Sequence, residues 1–132
     1  MKKLKLFFLL LAFVLLASCS DGNSPEQVAE EFVEAIYTAD FEEAKSLCTE
    51  DSKQTVDFIA AFASQKVDQM KKSEVEFVVT NVTISDDGNS AEVKGIIKGS
   101  LDLEKGTVIE SKDEKVQLKK VGDKWLVENK LK

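Results

Sequence analysis

The chain has 132 residues, a length typical of one domain, and carries 18 basic against 24 acidic residues, for a formal net charge of −6 at pH 7. All the basic residues are lysines, and an acidic chain without the planar arginine fork is poorly suited to bind nucleic acid. There is no histidine and there are only two cysteines, which argues against a zinc site or a cysteine–histidine nucleophile. We therefore expect no nucleic-acid partner, no metal and no cofactor.

The first 18 residues have the composition of a secretory signal. Three lysines within the first five residues precede an unbroken apolar run over residues 6–16, which is short for a membrane span of roughly 20 residues. The small residues Ala17 and Ser18 follow, as a cleavage site requires. We predict that residues 1–18 are a lipoprotein signal peptide, whose removal takes three lysines with it and leaves a net charge of −9.

Cys19 lies at the junction of the apolar run and a polar segment. The tetrapeptide Leu16-Ala17-Ser18-Cys19 resembles the bacterial lipobox, and this resemblance implies cleavage between Ser18 and Cys19 and attachment of lipid, palmitate included, to Cys19. Each buried lipid methylene contributes about 0.8 kcal/mol, so two or three chains anchor a protein stably. The alternative is a Cys19–Cys48 disulfide, which the flanking residues disfavour. Cys48 is then expected to be a small buried apolar residue on a helix.

Residues 19–24 are predicted to form the lipidated cysteine and a flexible polar tether to a domain over residues 25–132. Ser20 follows the cysteine directly, and by resemblance to Gram-negative lipoproteins a residue other than aspartate at this position implies onward transport to the outer membrane. We expect an exported protein that is anchored through lipid on Cys19 to a bacterial membrane, the outer membrane of a Gram-negative cell.

Helical signals occupy the first half of the domain. Ser24 and Pro25 cap and begin a first helix, and Asp40 caps a short second one. A third, longer helix is predicted from about Asp51 to Lys72. Its apolar stripe comprises Val56, Ile59, Ala60, Ala63, Val67 and Met70. Phe58 and Phe62 lie one turn apart on a neighbouring flank, so this helix is apolar over more than one face.

Alternating apolar residues in the second half predict four strands. Val79 and Val82 lie in opposite phases, which predicts a β-bulge near Thr80-Asn81. Turns are expected at residues 86–89, 104–106 and 121–124, and the last strand is expected to contain Trp125 and Val127, with Leu131 as a candidate member. Three helices packed on a curved four-stranded antiparallel sheet make an α+β domain.

Four stretches of the chain resemble the NTF2-like superfamily with its cystatin-like cone, and in particular its small bacterial lipoproteins of uncharacterised function. They are "SPEQVAEEFVEAIYTADFEEAKSLCTEDS", the helix from Phe58 to Met70, "VTISDDGNSAEVKGIIKG" and "VGDKWLVENKL". The resemblance implies a sheet that curls around the long helix and leaves a cavity at its open end. The superfamily includes ketosteroid isomerases, dehydratases and polyketide cyclases as well as non-catalytic modules, so the fold does not fix the function.

No set of catalytic residues can be assigned. An isomerase needs a carboxylate base in an apolar pocket, for which Asp57, Asp68 and Asp102 are the candidates, each more simply explained as a solvated carboxylate. Tyr37 is the only tyrosine and could serve as an oxyanion donor, although its position predicts the domain edge. The segment "SDDGNS" lacks the later ligands of a calcium loop and indicates a hairpin turn.

The sequence therefore favours a non-enzymatic, lipid-anchored binding or interaction module of the cell envelope. Its partner is a small apolar ligand, another protein or a second copy of the chain, and the candidate pocket or interface residues are Phe58, Phe62, Tyr37 and Trp125. The simpler alternatives are core packing for the two phenylalanines and a core or cavity-wall position for Trp125. The alternative function is a small-molecule isomerase or dehydratase, which would require a carboxyl group with a raised pKa inside the cavity.

Overall fold

Four α-helices precede four β-strands in the computed structural model of the chain, which describes residues 24–129. The predicted signal peptide, Cys19, most of the tether and Leu131 lie outside the described residues. The helices are α1 (Pro25–Tyr37), α2 (Phe41–Ser46), α3 (Glu50–Phe62) and α4 (Val67–Lys71), with a 3-10 turn at Ser64–Lys66 between the last two. The strands are β1 (Glu76–Ile84), β2 (Ser90–Leu101), β3 (Val108–Val121) and β4 (Lys124–Val127).

The strands form one antiparallel sheet in the order β1-β2-β3-β4, which confirms the predicted α+β class. The register of β1 against β2 shifts between Val79 and Asn81, so the predicted bulge is present. The first hairpin turn is held by Asp87, whose Oδ1 accepts hydrogen bonds from the Ser85 hydroxyl (2.6 Å) and the Asn89 N–H (2.9 Å). The Asp87 carboxylate therefore stabilises the hairpin turn that was predicted for this segment.

Helix α1 begins where its capping residues predict. The Ser24 hydroxyl accepts a hydrogen bond of 3.1 Å from the Gln27 N–H, and Pro25 occupies the first turn. Its inward stripe is buried, as expected, and comprises Val28, Phe32, Ala35, Ile36 and, just beyond the helix, Ala39. Glu34 ties the helix to the edge of the sheet, because its carboxylate accepts a 3.2 Å hydrogen bond from the Phe77 N–H on β1.

The prediction of one long third helix is wrong. Helix α3 ends at Phe62, Ala63 caps it, and the Lys66 N–H donates to the Ala63 carbonyl (2.8 Å) in the tight turn that follows. Ala63 and Met70 are both buried in a small second core cluster, against which Leu101 and Leu103 pack. The turn thus redirects the chain so that α4 brings Met70 against the end of β2. No helix within residues 24–129 has the length and apolarity needed to cross a membrane.

Cys48 is buried as predicted but does not lie on a helix. It follows α2 and forms a parallel bridge with Val127 of β4. The Val127 N–H donates to the Leu47 carbonyl (2.8 Å), and the Thr49 N–H donates to the Val127 carbonyl (2.9 Å). Burial raises the pKa of the Cys48 thiol, which has no disulfide partner in the described part of the chain. Cys48 therefore packs as a small apolar residue where the helical layer meets the sheet edge.

Candidate functional site: a cavity between helices and sheet

A cavity of about 390 Å³ lies where the end of α1 meets α3, α4 and the connection between β2 and β3. This volume falls within the range of small-molecule sites. Its wall is formed by Ile36, Tyr37, Ile59, Met70, Leu101, Asp102, Leu103, Ile109 and Lys112. Six of these nine side chains are aliphatic or thioether groups, so the wall is predominantly apolar with three polar residues.

Tyr37 and Lys112 contact each other in the wall of this cavity. Tyr37 is the last residue of α1, and the Lys112 Nζ on β3 lies 5.0 Å from the centre of its ring, within the range of a cation–π contact. Burial raises the pKa of Tyr37 above its ordinary value, and the charge of Glu114 adds to this increase, while Lys112 opposes it. Tyr37 is thus a half-buried phenol in the cavity wall, at the last position of α1.

Asp102 is the carboxylate of the cavity wall, and the backbone holds it in its charged form. Its Oδ1 accepts hydrogen bonds from the N–H groups of Lys105 (3.0 Å) and Glu104 (2.9 Å) in the turn after β2. These two bonds lower the pKa of Asp102, the Lys105 bond contributing most. The two other base candidates lie away from the cavity: Asp57 pairs with Lys45 (3.0 Å), and Asp68 is exposed on α4.

Glu114 and Lys112 were not identified from the sequence. Both lie on β3 in the same alternating row as the buried Val116 and Leu118, and both are half-buried. Burial raises the pKa of Glu114, and Lys112 partly offsets this effect. The alternation of side chains along β3 contained the signal for both residues. Residues two positions apart point to the same face of a strand, so the inward-facing row that includes Leu118 and Val116 continues to Glu114 and Lys112.

The other three residues proposed from the sequence do not line this cavity. Phe58 and Phe62 on α3 are 59% and 66% exposed, so the core-packing interpretation is wrong for both, and they form an exposed aromatic pair beside Ile59 of the wall. Trp125 is 6% exposed and belongs to the main core, with the Lys120 Nζ 5.5 Å from the centre of its ring. Its position agrees with the packing role that was the simpler alternative.

Two further depressions are more polar and more open to solvent. One, of about 460 Å³, lies along the middle of the sheet and is lined by Thr80, Lys94, Gly95, Asp113, Glu114 and Lys115. The other, of about 470 Å³, lies beside Cys48 and includes Lys53, Lys119 and Lys124 in its wall. Within residues 24–129, no group of three or more cysteine and acidic side chains is arranged to hold a metal ion.

Comparison with known proteins supports the fold and gives no activity. No protein-family model and no curated protein matches the chain. Among solved structures, it resembles a protein of Campylobacter jejuni provisionally described as an NTF2-like transpeptidase, with a TM-score of 0.55 and 20% identity over 82% of this chain and all of that one. A cystatin-like protein of unknown function from Nostoc punctiforme gives a TM-score of 0.52 at 14% identity, covering 77% of this chain and 81% of its own.

An uncharacterised cystatin-fold protein from Novosphingobium aromaticivorans is similar to the same extent, with a TM-score of 0.50 and 16% identity over 81% of this chain and 97% of that one. Identities this low carry information about the fold alone. The chain therefore has the NTF2-like, cystatin-like α+β fold predicted from its sequence.

Proposed function

We propose that the chain is a lipid-anchored, non-enzymatic binding module of the bacterial cell envelope, an NTF2-like lipoprotein that holds a small apolar ligand in the cavity at the end of α1. The observation that carries this proposal is the wall of the cavity, in which six of nine side chains are apolar. A pocket of this size with a few convergent polar groups is the usual form of a small-molecule site.

The lipobox-like residues Leu16–Cys19 support an anchor, and the length of α1 relates that anchor to the cavity. Residues 20–24 span about 17 Å at most when fully extended. Helix α1 has 13 residues and is therefore about 20 Å long, with Ser24 at one end and Tyr37 at the other. The anchor thus joins the domain at the end of α1 remote from the cavity. In this proposal the ligand enters from the aqueous phase outside the membrane, which we take to be the outer membrane of a Gram-negative cell.

The chemistry of the cavity favours binding over catalysis. An isomerase base needs a raised pKa in an apolar pocket, whereas the carboxylate of Asp102 is held in the charged form by a turn. A transpeptidase activity, as described for the Campylobacter protein, is not supported by the side chains of this cavity. Serine transpeptidases require a nucleophilic serine beside a lysine, and the residues that line this cavity include Lys112 but no serine, threonine or cysteine.

One observation favours a second candidate, an isomerase or dehydratase. Glu114 is half-buried with a raised pKa, and it is close enough to Tyr37 to raise the pKa of that phenol. A carboxyl base and a phenol donor are the two groups that such an enzyme needs. Glu114 does not line the cavity, however, so the pair lacks a shared substrate position.

Native mass spectrometry of the full chain, released from membranes in a detergent that is removed in the gas phase, tests the proposal. We expect a co-purifying small molecule that is lost when the protein is denatured. A chain that carries no small molecule, and that takes up none when incubated with short apolar compounds, would contradict ligand binding. Conversion of such compounds to isomers by the wild-type chain, abolished by Glu114→Gln, would favour the enzyme.

A further inference from the structure

The three polar groups in the cavity wall restrict the kind of ligand that the cavity accepts. Tyr37, Asp102 and Lys112 are the polar members of an otherwise apolar wall. Asp102 is an acceptor, and its Oδ1 already accepts two backbone hydrogen bonds in the turn. Lys112 and Tyr37 are the groups of the wall that can donate a hydrogen bond to a ligand.

The Lys112 ammonium can donate hydrogen bonds to a ligand, because no carboxylate within residues 24–129 forms an ion pair with it. The ion pairs found within residues 24–129 at 4.0 Å or less involve Lys45, Lys53 and Lys115, and Lys112 takes part in none of them. Its ammonium group lies instead over the Tyr37 ring, at 5.0 Å from the ring centre. A lysine carries three N–H donors, and contact with one phenol does not occupy all three.

The charges around Lys112 disfavour an ionised ligand. Asp102 and Glu114 both interact electrostatically with Lys112, so these three groups together carry a net charge of about −1 when ionised. A ligand carboxylate would add a second negative charge to a partly desolvated site, where repulsion is stronger than in water. A ligand ammonium would compete with Lys112 for the face of Tyr37. A neutral oxygen acceptor meets neither obstacle.

Resting on the proposed function, we propose that the ligand is a neutral apolar molecule with one hydrogen-bond-accepting oxygen, which Lys112 binds beside Tyr37. At about 30 Å³ for each water-sized group, a cavity of about 390 Å³ has room for roughly a dozen such groups. The apolar body lies against Ile36, Ile59 and Met70, and the oxygen faces the Lys112 ammonium.

Equilibrium dialysis of the full chain in detergent, with detergent alone as the blank, tests this proposal with three compounds of equal chain length: 2-nonanone, nonanoate and nonylamine. The ketone is expected to bind about tenfold more tightly than either ion, the scale of one hydrogen bond to a charged group. Lys112→Met should lower the affinity for 2-nonanone about tenfold, because the donor is lost while the aliphatic contacts persist, and Lys112→Arg should largely restore that affinity because a charged donor returns. Lys98→Met, at an exposed position on β2, is the matched control and should retain that affinity.

The outcomes separate this inference from the proposed function. If all three compounds bind the wild-type chain equally, if nonanoate binds more tightly, or if Lys112→Met binds 2-nonanone as tightly as the wild-type chain does, the inference is overturned while apolar binding stands. If none of the three binds, both are overturned. The unfolding midpoint of each variant shows that a loss of ketone affinity does not come from a loss of fold.

Discussion

The ring of Phe77 on β1 covers the backbone of Gly95 on β2, at a distance that leaves no room for a side chain at position 95. A Cβ placed at Gly95 would lie 2.6 Å from Cε1 of Phe77 and 2.5 Å from the carbonyl oxygen of Val78. Phe77 is among the largest fully buried side chains. Glycine is thus required here by close approach across the β1–β2 pair.

Gly95→Ala is expected to lower the free energy of unfolding by about 1–3 kcal/mol, the usual cost of overpacking a core. Urea unfolding followed by circular dichroism measures the change. Phe77→Leu combined with Gly95→Ala should relieve only part of this cost, because the Val78 carbonyl still obstructs the methyl group. An unchanged midpoint in the single variant would mean that β1 moves aside freely.

Ser52→Ala is expected to destabilise the fold by about 1–3 kcal/mol, because it leaves two polar groups without their partner. The buried Ser52 hydroxyl accepts a 2.8 Å hydrogen bond from the Asn129 N–H and lies 2.7 Å from the Thr49 hydroxyl. The matched control is Ser46→Ala, which removes an exposed hydroxyl that donates to the Glu43 carbonyl. Denaturant unfolding should separate the two variants, and equal midpoints would show that water replaces Ser52 without cost.

Glu114→Gln is expected to stabilise the protein at neutral pH. Burial raises the pKa of Glu114 in the fold, so the folded state resists ionisation and stability falls as pH rises through the range between the unfolded and folded pKa. The stabilisation by Glu114→Gln is therefore present at pH 7. It disappears below roughly pH 4, where the Glu114 carboxyl of the wild-type chain is protonated in both the folded and the unfolded state. Thermal unfolding from pH 3 to 8 measures this, with the exposed Glu110→Gln as control. A gain that persists at pH 3 would point to a cause other than ionisation.

Phe62→Asp is expected to change the free energy of unfolding by only about 0.5 kcal/mol, because the side chain is 66% exposed. It should nevertheless weaken ligand binding or self-association if the aromatic pair of Phe58 and Phe62 is an interface. Sedimentation velocity and dialysis, each compared with the exposed Gln69→Asp on α4, measure both effects. A folded variant with unaltered association and binding would remove the pair from the candidate interface residues.

Cys19→Ser is expected to abolish incorporation of radiolabelled palmitate and the lipid-dependent retention of the protein in the membrane fraction, because the thiol is the proposed acceptor of lipid. Cys48→Ser is the matched control and should keep the label, since that thiol is buried in the domain. Label in the Cys19→Ser protein would contradict the lipobox interpretation.

The features that the sequence predicted correctly depend on short-range interactions. The Ser24 cap, the Asp40 cap and the bulge at Thr80 each arise from residues within a few positions of one another, and all three are present in the structure. The first hairpin turn was also predicted from local residues, and in the structure Asp87 stabilises it by accepting a hydrogen bond from the Asn89 N–H. From these local signals the order of helices and strands follows, and with it the α+β class.

The features that the sequence did not predict depend on residues distant along the chain. The apolar stripe from Val56 to Met70 continues without glycine or proline, so nothing local marks the break after Phe62, which places Met70 against Leu101 and Leu103. Cys48 leaves the helix because its backbone pairs with Val127.

Local patterns along the chain were sufficient to predict the cap residues, the strand alternation and the fold class, because each depends on residues within one segment. The packing of the helices on the sheet was needed to show that Tyr37 contacts Lys112 in one cavity wall and that Phe58 and Phe62 are exposed to solvent. Which side chains meet across a helix and a sheet depends on how those elements pack, and one-dimensional periodicity does not specify that packing.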